Sequence, residues 1–208
     1  MDTLTALFGS EAKVKMLRLF LFNPGTPFFP EEIAARTKCP LALVRKELAG
    51  LAKADIIKKR ETSKEVPASK DGADGAKKMR GTGFVFNDKF PHLDPLKNLL
   101  TVSSVSADGT LLKRFAKAGR IKLLLAAGLF IQNWDSRVDL LIVGDELSQA
   151  RIETAVRDIE AEIGKELAYS VFETQDFEYR LGMHDRLVRD ILDYPHVTLL
   201  DRLGVSPE

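Results

Sequence analysis

Cysteine is almost absent from this chain. Cys39 is the only one among 208 residues, which excludes an internal disulfide and any zinc site built from a cysteine cluster. Histidine is nearly as scarce. His92, His184 and His196 are scattered, without the close spacing of a metal-binding motif, so no metal site is expected from them. Long apolar runs are missing too: the longest, Ile121 to Ile131, contains Lys122 and is too short to cross a bilayer. The N-terminal residues lack the basic and apolar regions of a signal peptide. A cytoplasmic chain with no membrane role is the expectation.

Net charge is the last thing the chain has little of, with 31 Lys and Arg against 30 Asp and Glu, or +1. That balance conceals an asymmetry. Residues 1–100 hold 18 basic and 12 acidic side chains, a net +6, and residues 101–208 hold 13 and 18, a net −5. A basic half joined to an acidic half is what a chain has when its first part meets nucleic acid and its second does something else. Length and 45% hydrophobic content allow two modest cores. The small polar run Ser103 to Gly109 separates them, giving expected domains at 1–100 and 101–208.

What is present is densest between residues 30 and 57. Pro30 suits a first helical position, and Glu31 and Glu32 put negative charge at the positive end of the helix dipole. Ile33 and Ala34 turn inward. After Thr37-Lys38-Cys39, Pro40 can open a second helix in the same way, in which Val44, Leu48 and Leu51 form one apolar stripe. The remaining face carries Ala42, Arg45, Lys46 and Lys53: a small residue for close approach and cations for phosphates or guanine edges. Upstream, Val14, Leu17 and Leu21 mark a supporting helix that starts at Ser10, a good N-cap, and stops before Asn23-Pro24-Gly25. Downstream, Ile56 to Arg60 and Gly83 to Asn87 read as two strands. Glu61 to Thr82 between them reads as a long mobile loop whose cations, Lys64, Lys70, Lys77, Lys78 and Arg80, can follow a phosphate backbone or remain simply solvated.

The segments Pro30-Glu31-Glu32-Ile33-Ala34, Pro40 with Val44-Arg45-Lys46-Glu47-Leu48, and Ala54-Asp55-Ile56-Ile57 resemble the winged helix-turn-helix regulators of bacteria and archaea, in the arsenic-repressor and multiple-antibiotic-resistance-repressor style. The resemblance spans about residues 8–100. It implies sequence-specific transcriptional regulation through double-stranded DNA, with Ala42, Arg45, Lys46 and Lys53 on the recognition helix and Lys58, Lys59, Arg60, Lys77, Lys78 and Arg80 on the wing. A homodimer is implied as well, because one recognition helix reads only a few base pairs.

Beyond a connecting helix at Leu96, Leu99 and Leu100, the second half alternates strands with helices. Strands are expected at Ile121 to Ile131, Val138 to Val143 and Leu167 to Phe172, with a last one at Val197 to Leu200. One helix runs from about Ser148 to Gly164, and another from Thr174 through Leu192 until Pro195 ends it. The expected class is therefore α+β or α/β.

Within this half, Asp135-Ser136-Arg137-Val138-Asp139-Leu140-Leu141-Ile142-Val143 resembles the central signature of the minimal nucleotidyltransferases, relatives of the polymerase-beta palm. In active members a Gly-Ser pair precedes an Asp-x-Asp strand whose two carboxylates share magnesium. The match fails at the demanding positions. Arg137 stands where the first Asp belongs, Gly128 is followed by Leu129 rather than Ser, and Asp135 is ~13 Å along an extended chain from Asp139. Glu173 is the one acid near the third strand. No catalytic residue is assigned, and no cofactor. Three readings of the pair stay open: Arg137 and Asp139 held by local ion pairs or loop hydrogen bonds; a nucleotide or anion effector bound by Gly128, Ser136, Arg137 and Asp139; or magnesium-dependent nucleotidyl transfer. Trp134 can stack on a base or simply pack. A toxin-antitoxin component with a DNA-binding domain is the further alternative.

Overall fold

The computed structural model describes residues 3–66, 77–102, 109–133 and 136–205. The protein is mixed α+β, with helices and two small sheets. It divides into two compact units: Met1–Ser104 together with Ala161–Lys165, and Val105–Glu160 together with Glu166–Glu208.

The first unit opens with α1 (Thr3–Phe8) and α2 (Glu11–Phe22), the latter capped by the Ser10 hydroxyl, which accepts the Lys13 N–H at 3.3 Å. Next comes α3 (Pro30–Thr37), with Pro30 in its first turn and the Glu32 carboxylate accepting the Phe29 N–H at 3.0 Å. Lys38 takes a left-handed conformation, φ 54°, to end that helix. Pro40 then serves as N-cap rather than first helical residue, because its extended backbone (ψ 135°) turns the chain before α4 (Leu41–Lys53) begins. Val44, Leu48 and Leu51 are buried as their spacing requires, in one core with Leu17, Phe20, Ile33, Ile57 and Phe86.

Two antiparallel strands, β1 (Ile57–Val66) and β2 (Lys77–Phe86), form a ribbon pairing Ile57 with Phe86 through Val66 with Lys77. This corrects the expected loop from Glu61 to Thr82, much of which is strand. Local polarity hid it. Cross-strand pairing stabilises polar residues here: the Thr82 hydroxyl donates to the Glu61 carboxylate at 2.8 Å from the directly opposed position. Phe28 adds a bridge to the ribbon, exchanging both backbone hydrogen bonds with Phe84 at 2.9 and 2.8 Å. At the ribbon's base Asn87, 1% exposed, donates to the Asp55 carbonyl at 2.8 Å and accepts the Lys89 N–H at 3.0 Å. Replacing Asn87 with alanine orphans both backbone groups and is expected to cost about 2–3 kcal/mol. Urea unfolding should show a lower midpoint at unchanged slope. The unit ends in α5 (Leu93–Val102), whose Leu100 joins the core.

The second unit begins with α6 (Gly109–Phe115) and holds a four-stranded sheet in the order β5-β4-β3-β6, built from β3 (Arg120–Ala126), β4 (Leu140–Asp145), β5 (Tyr169–Glu173) and β6 (Val197–Asp201). β3 runs antiparallel to both β4 and β6, and β4 parallel to β5. The parallel pair is joined by α7 (Gln149–Ile163), which turns Ile152, Val156 and Ile159 inward and is followed by Gly164 at φ +81°. Leu123, Leu125, Leu141 and Val143 pack with Phe177, Val188 and Ile191; Leu124 and Ile142 alternate to the other face and are equally inaccessible.

Four sequence expectations change in this unit. The strand expected from Leu167 starts at Tyr169. The strand from Ile121 stops at Ala126, and Gly128–Ile131 is a 3-10 turn. Gly128 adopts φ +52° there, which extended backbone cannot accommodate. The strand expected from Val138 starts at Leu140. The single helix expected from Thr174 to Leu192 is two, α8 (Thr174–Gly182) and α9 (Arg186–Asp193). His184 is left-handed at φ 56°, and the Asp185 carboxylate caps the second helix by accepting the N–H groups of Leu187 and Val188.

Candidate nucleic-acid interface

With Val44, Leu48 and Leu51 committed to the core, helical geometry turns Ala42, Arg45, Lys46 and Lys53 to solvent, and all four are exposed. Ala49 and Gly50 complete that face. Sequence reading passed over them, although their spacing of four from Arg45 and Lys46 was a usable signal. Open space surrounds the Gly50 Cα. The face thus presents three cations set among small residues. The helix has one acid, Glu47, which is turned inward at 8% exposure and lies 3.4 Å from the Lys13 ammonium.

One acid does reach this face from outside. The Glu31 carboxylate, on α3, accepts from Arg45 at 3.0 Å, with both side chains more than half exposed. Such a pair is worth only about 0–1 kcal/mol, so it orients Arg45 without holding it against a stronger anion. If α4 meets DNA, Glu31→Gln should tighten binding by about 2- to 5-fold at low salt, removing a competitor and a charge that repels phosphate. A titration of labelled duplex against wild type and variant reads this; unchanged or weaker binding counts against α4 as the contact surface.

The ribbon separates cations that are neighbours in sequence. Strand alternation puts Lys58 and Arg60 on one face with Val85 and Gly83, and Lys59 on the other with Phe84 and Arg80. Lys59, Arg60 and Arg80 are exposed. Lys58 contacts Asp88 at 3.4 Å, and Arg60 donates to the Gly25 carbonyl at 3.2 Å. A Cβ on Gly81 would strike the Phe29 ring, and one on Gly83 would sit tightly against Thr62 and Pro27. Lys77 and Lys78 open β2 opposite Val66 and Glu65; their side chains and that of Lys64 lie outside the description, as does Lys70 entirely.

No protein-family model, curated protein or solved structure matches the chain.

The second group of sequence candidates is held by hydrogen bonds and an ion pair with neighbouring segments. Asp139 precedes β4 and spreads its carboxylate between two segments: one oxygen accepts the Leu129 N–H at 2.7 Å, the other the Ala168 N–H at 2.9 Å. Its backbone bonds the same two neighbourhoods, the N–H to the Ala168 carbonyl at 2.6 Å and the carbonyl from the Ala127 N–H at 2.9 Å. Gly128 lies so close that a Cβ there would strike the Asp139 carboxylate. Arg137 turns away to Asp190 on α9, at 3.0 Å. Ser136 donates its hydroxyl to the Val138 carbonyl at 2.8 Å. Glu173 is in register with Gly144, so it stands about 16 Å up the sheet from Asp139. Trp134 and Asp135 lie outside the described residues. Among the described residues no cluster of three or more His, Cys, Asp or Glu can hold a metal ion, and no helix is long and apolar enough to cross a membrane.

At the far end of β4, hydrogen bonding from the Thr174 side chain and then from Lys122 holds the Asp145 carboxyl below its usual range. The Lys122 contact, at 3.0 Å, is the firmer of the two, because the buried Thr174 hydroxyl makes no hydrogen bond of good geometry. A lowered carboxyl stabilises the fold above its unfolded pKa and loses that contribution as pH falls through the folded one.

Proposed function

We propose that this chain is a sequence-specific DNA-binding transcriptional regulator, acting in the cytoplasm as a homodimer. Its first unit is a winged helix-turn-helix, with α4 as recognition helix and the β1–β2 ribbon as wing. The observation that carries this reading is the solvent face of α4: three cations among small residues, with the helix's own acid turned inward. A helix so equipped suits a major groove, where guanine edges and phosphates are acceptors and bulky side chains would hold the backbone away. The order of elements supports it. A supporting helix, a bridge strand at Phe28, two helices joined by a short turn, and a ribbon bonded back to Phe28 are the parts such a module needs.

The second unit acts as a nucleotidyltransferase-like domain that tunes or dimerises the regulator rather than catalysing. Support comes from Asp139, whose two oxygens each accept a backbone N–H, and from Arg137, a cation in the position of a metal-binding carboxylate. The test is selection of bound fragments from a random duplex pool. A recurring pair of half-sites about 34 Å apart, bound with an affinity falling steeply in salt, is the expected outcome. A pool that never enriches overturns the reading.

A further inference from the structure

Among the described residues, β1, β5 and β6 each have one edge with no strand beside it, while β2 is bridged by Phe28. An open edge is a template for pairing with another chain, and proteins guard it with charge, proline or a bulge. Two of these three are guarded. β1 carries Lys58, Lys59 and Arg60. β6 bulges, since Leu124 opposes Leu200 and Leu125 opposes Thr198, which leaves Leu199 without a counterpart. β5, Tyr169-Ser170-Val171-Phe172-Glu173, has neither lysine nor proline, and it pairs with β4 without a shift in register. Its first four residues are half-buried, and Tyr, Val and Phe suit extended backbone.

The parallel pairing decides which backbone groups β5 leaves open. Both groups of one residue aim at the same edge, and those of the next residue at the other. The Ala168 carbonyl accepts the Leu140 N–H at 3.3 Å, so Ala168, Ser170 and Phe172 face β4. Tyr169 and Val171 therefore aim outward, where no described residue bonds their backbone. We propose that β5 pairs antiparallel with β5 of a second copy about a two-fold axis at Val171, joining two four-stranded sheets into one. This gives the proposed homodimer its interface, and it rests on that part of the functional reading alone. The axis sets Val171 opposite its own copy, Tyr169 opposite Glu173, and Ser170 opposite Phe172, small against large. Glu173, the one charge of the strand, thus avoids its own copy. A strand of another protein could satisfy the same backbone groups, but self-pairing matches length, spacing and charge at once. Apolar surface borders this edge as well. On α8, Arg180 covers the Phe172 ring at 5.2 Å, and beside it Tyr179 and Met183 are 65% and 66% exposed.

Sedimentation of the full chain over a dilution series tests this, and wild type should form a reversible dimer. Val171→Lys and Val171→Glu each set like charges opposite across the axis and should weaken the dimer about tenfold. Mixing the two variants should restore association, because opposite charges then face each other; recovery also shows that both variants are folded. A second measurement introduces no charge. In a Cys39→Ala background, Val171→Cys should cross-link two copies on oxidation, since directly opposed residues of such a pair have Cα atoms about 5.5 Å apart, within disulfide reach. Val197→Cys, on β6, should not. A dimer unchanged in both charge variants, or Val171→Cys that does not cross-link, overturns this interface and leaves the homodimer standing. A wild type that is monomeric at every concentration overturns the interface and the homodimer together, and leaves the edge to a strand of another protein.

Discussion

Replacing Arg45 and Lys46 together with alanine is expected to lower affinity for a selected duplex by about two orders of magnitude. The two residues contribute differently. An arginine bonded bidentately to a guanine edge is worth about 1–3 kcal/mol and specifies the base, so Arg45→Ala should relax preference at one position of each half-site as well as weaken binding. Lys46, as a point charge beside a phosphate, should weaken all sequences alike and reduce the slope of log affinity against log salt by about 1 for each protomer. Both side chains are exposed, and neither belongs to the core of the first unit, so folding should be intact in the variants. Arg157→Ala is the matched control: it removes one exposed cation of α7, paired with Glu153 at 3.8 Å in the preceding turn. Equal losses from Arg157→Ala and Arg45→Ala would mean that only bulk charge matters, and the recognition role of α4 would fall.

How much of this was legible in the sequence depended on whether local pattern or distant contact decided each residue. The helix pair at 30–53 was readable because its apolar stripe, its prolines and its caps all act within one or two turns. The ribbon was half readable. Its buried base, Ile57 and Phe86, has a strand-like pattern, but Glu61, Thr62 and Ser63 are ordered by residues about twenty positions away, and composition there points to a loop. The Phe28 bridge had no signal at all, since a single residue pairing with Phe84 leaves no periodicity. The Glu31–Arg45 pair, fourteen residues apart, depends on the angle between two helices. In the second unit, Asp139 was visible as an unusual acid before an apolar strand. Its partners at Leu129 and Ala168 come from two other segments, which no short motif around Asp139 could show.

That tertiary role yields the second large expected effect, which is on stability. Asp139→Ala leaves the Leu129 and Ala168 N–H groups without their acceptors. Charge-assisted bonds of this kind are worth about 1.5–3 kcal/mol each when buried and less where water can enter. The Ala168 bond is exposed and the Leu129 bond partly buried, so a loss of about 3 kcal/mol is expected for the pair. Gly128→Ala should cost a similar amount by another route: about 1 kcal/mol for a side chain at positive φ, and the remainder because its Cβ pushes the Asp139 carboxylate off both donors. The two losses must therefore not add. Once the carboxylate is gone there is nothing for the new Cβ to strike, and the double variant Gly128→Ala/Asp139→Ala should be more stable than the sum of the singles by about 1–2 kcal/mol. A catalytic Asp139 predicts the reverse pattern. Carboxylates held ready for a metal are a burden on the fold, and removing one leaves stability unchanged or raises it. Denaturant unfolding of the four proteins separates these cases: a destabilised Asp139→Ala with sub-additive coupling to Gly128 identifies a clip between segments, and a stable Asp139→Ala returns the residue to the list of groups free to meet a ligand.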